Sequence, residues 1–235
     1  MTHQCAVPGC LRPVGGGKRA RAWTRHCNTH RAHDRRHGHP QQTPVTVSKQ
    51  LKPYLKMIDR RLKVQPEARA WDAASERWRA LADEAASTVL AYDRGEAMSS
   101  TAHGVAQEID KLAKAAEPKE VWRLIAALVM LSRREETVFR TDRSFFVQAG
   151  RVIRRLRDVN ATEFWSPTEG KVRRTYRDPQ PRVMEELGRK VSIALGAVGL
   201  AFLRLEDAEE QRQDQAKADL RSALDELTSP QVAPG

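Results

Sequence analysis

The sequence lacks the features expected of a secreted or membrane-spanning protein. It contains only three cysteines, an odd number that argues against a disulfide framework. Its longest apolar run, VSIALGAVGLAFL at residues 191–203, is too short to cross a bilayer and fits a buried helix better. The beginning of the chain, MTHQC, has no apolar segment of the kind found in signal peptides. These absences predict a cytoplasmic protein.

Acidic residues are nearly missing from the first quarter of the chain. Residues 1–63 contain fourteen lysines and arginines but only two acids, Asp34 and Asp59, and so carry a net charge of +12. The whole chain carries +11, which leaves −1 for the remaining residues. Positive charge concentrated in this way is typical of a protein that binds a polyanion, most often nucleic acid.

Catalytic patterns are also missing. The sequence shows no glycine-rich phosphate loop and no Ser-His-Asp or Cys-His pattern. Paired acids such as Glu135–Glu136 occur next to arginines on a predicted helix, where a solvated surface explains them. The HGH at residues 37–39 differs from the His-x-His site of relaxase-type nickases, because its middle residue is glycine rather than an apolar residue. We therefore expect a protein that is not an enzyme.

Helical periodicity dominates the sequence from residue 48 onward. Prolines are tolerated in the first turn of a helix, and they open or precede four apolar-periodic runs, at Pro53, Pro66, Pro118 and Pro181. One helix cap is predicted at Ser99, Ser100 or Thr101, and another at Asp142. The core is predicted to centre on residues 121–131, 145–156 and 191–205, which carry wide apolar stripes.

One loop interrupts the helices, and two other segments have the composition of a linker and a tail. The loop, residues 160–181, contains KVRRTYR, which is a candidate strand or hairpin arm. The last helix, beginning near Pro181, either continues through its charged C-terminal part or breaks near Gln211. The patterns predict an all-α fold: a multi-helix domain at 48–228, preceded by a small zinc-stapled module at 1–40 and a linker at 41–47. Residues 229–235 are predicted to be a disordered tail.

The first module is predicted to bind a metal ion. Its candidate ligands are spaced as Cys5-x4-Cys10 and Cys27-x2-His30. Zinc needs four ligands in a tetrahedron, usually supplied as two close pairs. The turn in CAVPGC lets two thiolates face one point, and residues three apart share one face of a first helical turn. A module of this size cannot form a sufficient core, so structural Zn²⁺ is the expected cofactor.

The fourth ligand has an alternative. Cys27-x5-His33 is also reachable, so His33 can replace His30, whereas His26 lies next to Cys27 and points elsewhere.

The motif resembles a small Cys3His zinc finger of bacteriophage and mobile-element proteins, a finger often found at the front of HNH-type endonucleases. The resemblance rests on Cys5, Cys10, Cys27, His30 and the following RAHDRRHGHP, and it covers the first 40 residues. It implies zinc binding at those four positions and a role in DNA binding. No HNH-like ββα pattern follows, so the resemblance does not extend to a nuclease.

Three groups of basic residues are predicted to contact phosphate. The first lies between the two ligand pairs and comprises Lys18, Arg19, Arg21 and Arg25. The second follows the ligands and comprises Arg31, Arg35 and Arg36. The third comprises Arg151, Arg154 and Arg155, at the i, i+3, i+4 spacing of one helical face, extended by Lys171, Arg173 and Arg174. Nearby acids can neutralise the third group, whereas the first two have almost none.

The sequence favours a zinc-dependent protein that binds nucleic acid, with duplex DNA as the expected form, without catalysis and in a regulatory or architectural role. The alternative is a helical adaptor or inhibitor whose basic arm meets an acidic protein and whose C-terminal helix binds a partner or a second copy. A divergent nuclease is the third hypothesis. None requires a membrane.

Overall fold

A computed structural model describes residues 4–14, 25–65, 69–159 and 161–228. Within these ranges the chain forms seven α-helices and one two-stranded antiparallel sheet. The helices are α1 (Asn28–His37), α2 (Lys52–Val64), α3 (Arg69–Asp93), α4 (Ser100–Ala115), α5 (Pro118–Arg134), α6 (Asp142–Arg154) and α7 (Pro181–Thr228). A π-helical turn (Val47–Leu51) leads into α2, and a 3₁₀ turn (Leu156–Asp158) follows α6. The predicted all-α fold is confirmed.

Helix α5 lies at the centre of the helical body. Every residue from Val121 to Leu131 except Arg123 is buried, because helices pack on more than one side of it. Helices α6 and α7 pack against α5 and against each other, and the predicted core segments on these helices are confirmed. The core also includes an aromatic stack, with Trp71 of α3 lying 4.2 Å from Phe202 and 5.9 Å from Trp122 between ring centroids.

The helix starts follow the predicted chemistry, with one correction. Ser99 caps α4 by accepting a hydrogen bond from the backbone N–H of Ala102 at 3.1 Å. The predicted cap Asp142 is wrong: Thr141 caps α6, and its hydroxyl accepts from the Ser144 N–H at 3.1 Å. Thr141 has the extended backbone of a cap, while Asp142 is already the first helical residue, where a carboxylate favours the positive end of the helix dipole.

Helix α7 is 48 residues long and continues past Gln211 without a break. Its N-terminal half crosses α6 so closely that a Cβ on Gly188 would lie 1.8 Å from the Phe146 carbonyl oxygen. The two helices are therefore in close backbone contact at Gly188. After the buried residue Glu206, the described side chains of α7 are exposed or half-buried. No helix in the described ranges is both long and apolar enough to span a bilayer.

The predicted hairpin arm is also present. Strands β1 (Ala161–Ser166) and β2 (Lys171–Tyr176) pair antiparallel, from Ala161 opposite Tyr176 to Ser166 opposite Lys171. Trp165 and Val172 face each other across the pair and are more than half exposed. The hairpin thus stands at the surface of the helical body.

The segment predicted as a linker, residues 41–47, packs against the helical body. The Gln42 side chain is fully buried; it donates to the Val138 carbonyl at 2.9 Å and accepts from the Arg140 N–H at 3.1 Å. The Val45 N–H donates to Gln148 Oε1 at 3.0 Å. These bonds fix the position of the N-terminal module relative to the body. The domain boundaries stay a prediction, and the predicted tail, residues 229–235, lies outside the described residues.

Candidate metal centre and basic surfaces

The first ligand pair lies on a tight loop. The Cys5 N–H donates to the Arg12 carbonyl at 3.1 Å, which closes the loop around the turn in CAVPGC. Gly9 has a φ of 77°, a left-handed conformation that glycine adopts without strain. The Cys10 N–H then donates to the Val7 carbonyl at 3.0 Å, so that both thiols lie on the same side of the loop.

The second ligand pair lies at the beginning of α1. Cys27 is the N-cap residue, with an extended backbone, and its carbonyl accepts the first helical hydrogen bond from Arg31 at 2.9 Å. His30 is in the first turn, three residues later, and so lies on the same face as Cys27. The side chains of each pair are therefore positioned by the local backbone structure of their own segment.

The four predicted ligands come together in space. The Sγ atoms of Cys5, Cys10 and Cys27 and a ring nitrogen of His30 all lie within 4.8 Å of one another. His30 Nδ1 is 3.3 Å from Cys5 Sγ and 3.5 Å from Cys27 Sγ. With zinc–sulfur and zinc–nitrogen bonds of ordinary length, a tetrahedral site separates sulfur and nitrogen by about 3.6 Å. The donor set and its spacing fit a Cys3His site for a metal ion that accepts thiolate and imidazole ligands.

The environment of Cys5 favours the thiolate that a metal requires. Burial opposes the charge, but hydrogen bonds from the backbone around Cys27 and Val7 outweigh it and lower the pKa of the Cys5 thiol to about 6. The Cys27 N–H donates to Cys5 Sγ at 3.3 Å. The pKa of Cys10 is raised, because burial and the neighbouring thiols Cys5 and Cys27 together outweigh a backbone hydrogen bond at Arg12. Three thiols at such short distances cannot all ionise easily without a cation between them.

His33, the alternative ligand, lies outside this cluster. Its ring packs against that of His37, with centroids 4.5 Å apart, and its buried Nδ1 atom has no hydrogen-bond partner among the residues that the structure describes. His37 is buried and its Nδ1 lies 3.2 Å from Gln148 Nε2 of α6. The histidines that follow His30 therefore belong to the contact between α1 and the helical body.

Two further contacts hold α1 on the body, and sequence reasoning missed them. Arg143 of α6 donates to Asp34 at 2.9 Å and to Glu185 of α7 at 3.0 Å. Gly38 ends α1 with a φ of 83°, and a Cβ there would lie 2.8 Å from the Ser144 Cα. In the sequence, the one sign of these contacts was the glycine that follows the histidine-rich helix, because a left-handed C-cap favours glycine.

The arginines of the module are available for binding. Arg25, Arg35 and Arg36 are exposed and Arg31 is half-buried. None of these four forms an ion pair with a residue that the structure describes. Asp34 is the only acid on α1, and Arg143 already binds it. The other predicted residues of this region, Lys18, Arg19 and Arg21, lie outside the described residues.

The structure divides the third predicted basic group. Arg151 and Arg154 are buried and pair inward: Arg151 with Asp178 at 2.5 Å, and Arg154 with Glu108 at 2.5 Å. They hold the end of the hairpin loop against α6 and α4. Helical spacing correctly placed them on one face, but that face points into the protein.

The rest of the third group lies at the surface. Lys171, Arg173 and Arg174 are exposed on β2, but each pairs with a nearby acid, Lys171 and Arg173 with Glu169 and Arg174 with Glu163. Arg155 is exposed and forms no ion pair with any described residue. It is the member of the group with an uncompensated charge at the surface.

Comparison of the chain with protein-family models, with curated proteins and with solved structures finds no match. The fold and the Cys3His cluster therefore stand on the geometry alone. They define a helical protein with a small N-terminal module whose four ligands are arranged to hold a metal ion.

Proposed function

We propose that this protein binds duplex DNA and that a structural zinc ion in the N-terminal module organises the binding surface. The metal holds the Cys5–Cys10 loop against the start of α1, and α1 presents its arginines to the phosphate backbone. The proposal includes no catalytic step. It extends to an architectural or regulatory role in the cytoplasm, in the phage or mobile-element setting that the finger motif suggests.

The observation that carries the proposal is the unpaired positive charge on α1 and immediately before it. Arg25, Arg35 and Arg36 are exposed with no carboxylate partner in the described part of the chain, while Asp34 is occupied by Arg143. Cations at a protein surface without nearby acids attract phosphate, and their neutralisation of phosphates gives affinity that falls steeply with salt. Metal binding and DNA binding are linked because the metal ligands Cys27 and His30 form the first turn of the same helix.

The test measures binding of the full-length, zinc-loaded protein to a fluorescent DNA duplex by anisotropy, over a series of salt concentrations. The α1 charge variant replaces Arg25, Arg31, Arg35 and Arg36 by glutamine. A charge-matched control carries four equivalent changes at exposed arginines elsewhere, on or next to α3 and on α7: Arg77→Gln, Arg79→Gln, Arg94→Gln and Arg221→Gln. Both variants have the same net charge, so they differ only in where the charge is removed.

Binding becomes weaker as salt rises, and the slope of log K against log salt is therefore negative. We expect the magnitude of this slope to be smaller by up to about 3.6 in the α1 charge variant, since each phosphate contact contributes about 0.9. The control should keep a slope close to that of the unmodified protein. Equal slopes in both variants would contradict the proposal, because binding would then follow net charge alone. Chelation of the metal should abolish the α1-dependent part of the binding.

A second candidate function, a protein-binding adaptor, is favoured by the C-terminal part of α7. Residues 207–225 include Leu220 and Leu224, which are 62% and 51% exposed. They lie four residues apart, the spacing of one helical face, on which a partner helix packs. An adaptor would bind its partner protein with the same affinity after nuclease treatment. Replacing Leu220 by glutamate would abolish this binding.

A further inference from the structure

A row of four lysines runs along the π-helical turn and α2. The residues are Lys49, Lys52, Lys56 and Lys63, and all four side chains are exposed. Their spacing of three, four and seven residues keeps them within one narrow strip of the helix, because these intervals are close to whole turns. The opposite side of the helix carries Leu51, Ile58 and Leu62, which are buried in the core. The lysine row is therefore the outward face of α2.

The row has no acidic partner. None of the four lysines forms an ion pair with any residue in the described ranges, although ion pairs are frequent on the neighbouring positions. Arg60 and Arg61 bind Glu206 of α7, each at 2.6 Å. Asp59, the only acid on α2, binds Arg123 of α5 at 2.6 Å. Asp59 and Glu206 are thus occupied by other cations, and none of the four lysines has an acidic partner in the described ranges.

One more cation lies at the N-terminal end of the row. Arg155 lines the same groove, of about 610 Å³, as Val47 and Ser48, which directly precede Lys49. Arg155 is also exposed. Glu120 also lines this groove, but its carboxylate is paired with Arg157 at 2.7 Å. The unpaired charge of Arg155 therefore lies beside the N-terminal end of the row, and a part of the third predicted basic group is next to this surface.

We propose that the lysine row, with Arg155 at its end, is a second DNA-binding surface that follows the phosphate backbone of one strand of the duplex. Lys49 and Lys63 are fourteen residues apart, or about 20 Å along a helix. At about 3.4 Å of rise per base pair along the duplex axis, this distance spans roughly six base pairs. The surface rests on the proposed function, since it adds phosphate contacts to those of α1. It reads no base sequence, because lysines on phosphate position a protein without specifying a site.

The composition of the row favours a nucleic acid over a membrane surface. An interfacial helix places large apolar side chains beside its lysines, so that they enter the lipid. Within residues 48–63, no large apolar side chain is exposed, and the nearest exposed apolar residues are Val47 and Val64 at the two ends. Between these ends the strip offers charge in a line, which is what a phosphate backbone requires.

The experiment repeats the salt series with the full-length, zinc-loaded protein and a row variant in which Lys49, Lys52, Lys56 and Lys63 are replaced by glutamine. All four side chains point to solvent, and circular dichroism with thermal unfolding checks that the variant folds. A second variant with arginine at the same four positions keeps the charge. The charge-matched control defined above has lost the same number of cations, and it is measured in parallel.

We expect the slope of the row variant to decrease by up to about 3.6, so that between 50 and 200 mM salt its affinity falls about 10²-fold less than that of the unmodified protein. The arginine variant and the control should behave like the unmodified protein. A row variant with an unchanged slope, while the α1 charge variant loses binding, would overturn this inference and leave the proposed function intact.

Two other outcomes also decide the question. If the unmodified protein binds no DNA at any salt concentration, the proposed function and the lysine row fall together. If the row variant keeps its DNA binding but loses binding to vesicles with anionic phosphatidylserine headgroups, the row is a membrane contact and the inference is wrong.

Discussion

Arg143 of α6 donates a hydrogen bond of 2.9 Å to Asp34 of α1, which ties the helix that carries the metal ligand His30 to the helical body. The same guanidinium donates to Glu185 of α7 at 3.0 Å. One side chain therefore joins the N-terminal module to two helices of the core, and the predicted metal site has a fixed position on the body.

We expect the Asp34–Arg143 pair to stabilise the docking of the module without affecting metal binding. Both side chains are about one-third exposed, so solvent screens the pair and its coupling energy should be about 0.5–1 kcal/mol. The measurement is a double-mutant cycle with Asp34→Asn and Arg143→Gln, followed by urea unfolding. Zinc content should stay at one ion per chain in all variants. A coupling energy of zero would show that the two side chains do not interact in solution.

The metal site yields a prediction that separates His30 from His33. We expect His30→Ala to lower the affinity for zinc strongly, because the site loses one of its four donors. His33→Ala should retain full zinc content, since the His33 ring contacts His37 and not the cysteines. Titration with Co²⁺ gives a direct readout, because three thiolate ligands and one imidazole produce intense visible bands in a tetrahedral site. The opposite result would make His33 the ligand.

Burial of His37 predicts a pH dependence of stability. Burial, assisted by the neighbouring His33, lowers the pKa of His37 to about 4 from its ordinary value of 6.5. The folded protein therefore keeps this ring neutral, while the unfolded chain takes up a proton below about pH 6.5. The stability contributed by the neutral ring is complete above that pH and is lost as the pH falls toward 4. We expect a loss of about 1–3 kcal/mol in the free energy of unfolding over this window.

The control for this pH dependence is His37→Asn. The asparagine oxygen can take the place of Nδ1, which lies 3.2 Å from Gln148 Nε2, but asparagine does not titrate. Metal release at low pH affects both proteins in the same way, so the difference between their unfolding curves isolates His37. Identical curves at every pH would mean that His37 is accessible to protons in the folded state.

Sequence spacing predicted the local structures and missed the long-range ones. The ligand pairs Cys5–Cys10 and Cys27–His30 are each formed by a single turn, so their spacing was sufficient to find them. The inward direction of Arg151 and Arg154 was not predictable, because periodicity shows which residues share a face but not where the face points. Their partners Asp178 and Glu108 come from a distant loop and another helix.

The other differences have similar causes. Thr141 and Asp142 are adjacent residues of types that both cap helices, and only the backbone register chose Thr141. The segment 41–47 has the composition of a linker, but Gln42 is buried because its amide forms hydrogen bonds with two backbone groups of the loop between α5 and α6. Composition indicates the structure that a segment adopts alone. It does not predict these hydrogen bonds, because their partners are about 100 positions away in the chain.

The crossing of α6 and α7 predicts opposite effects for two glycine-to-alanine substitutions on α7. Gly188→Ala would place a methyl group against the Phe146 carbonyl, so the two helices must separate, and we expect a loss of about 3–5 kcal/mol. At Gly196 the nearest atom to a Cβ is a Val129 methyl group at 3.7 Å, an ordinary contact. Gly196→Ala should therefore stabilise the helix by about 0.5–1 kcal/mol. Urea unfolding measures both, and equal effects would contradict the observed crossing.

The neighbours Arg154 and Arg155 should separate stability from DNA binding. Arg154 is buried and donates to Glu108 at 2.5 Å and to the Arg177 carbonyl at 3.1 Å. Arg154→Met leaves a buried carboxylate without its main partner, which should cost about 3–5 kcal/mol of stability. In the fraction that remains folded, DNA binding should be unchanged, because this side chain does not reach the surface.

Arg155→Gln should show the reverse pattern. Arg155 is exposed and unpaired within the described ranges, so its loss should change stability by less than about 0.5 kcal/mol. It should lower the slope of log K against log salt by about 0.9, since one phosphate contact disappears. Anisotropy and urea unfolding on both variants give the comparison. A normal slope for Arg155→Gln would remove Arg155 from the proposed surface, and loss of binding in stably folded Arg154→Met would show that the buried arginine reaches the DNA.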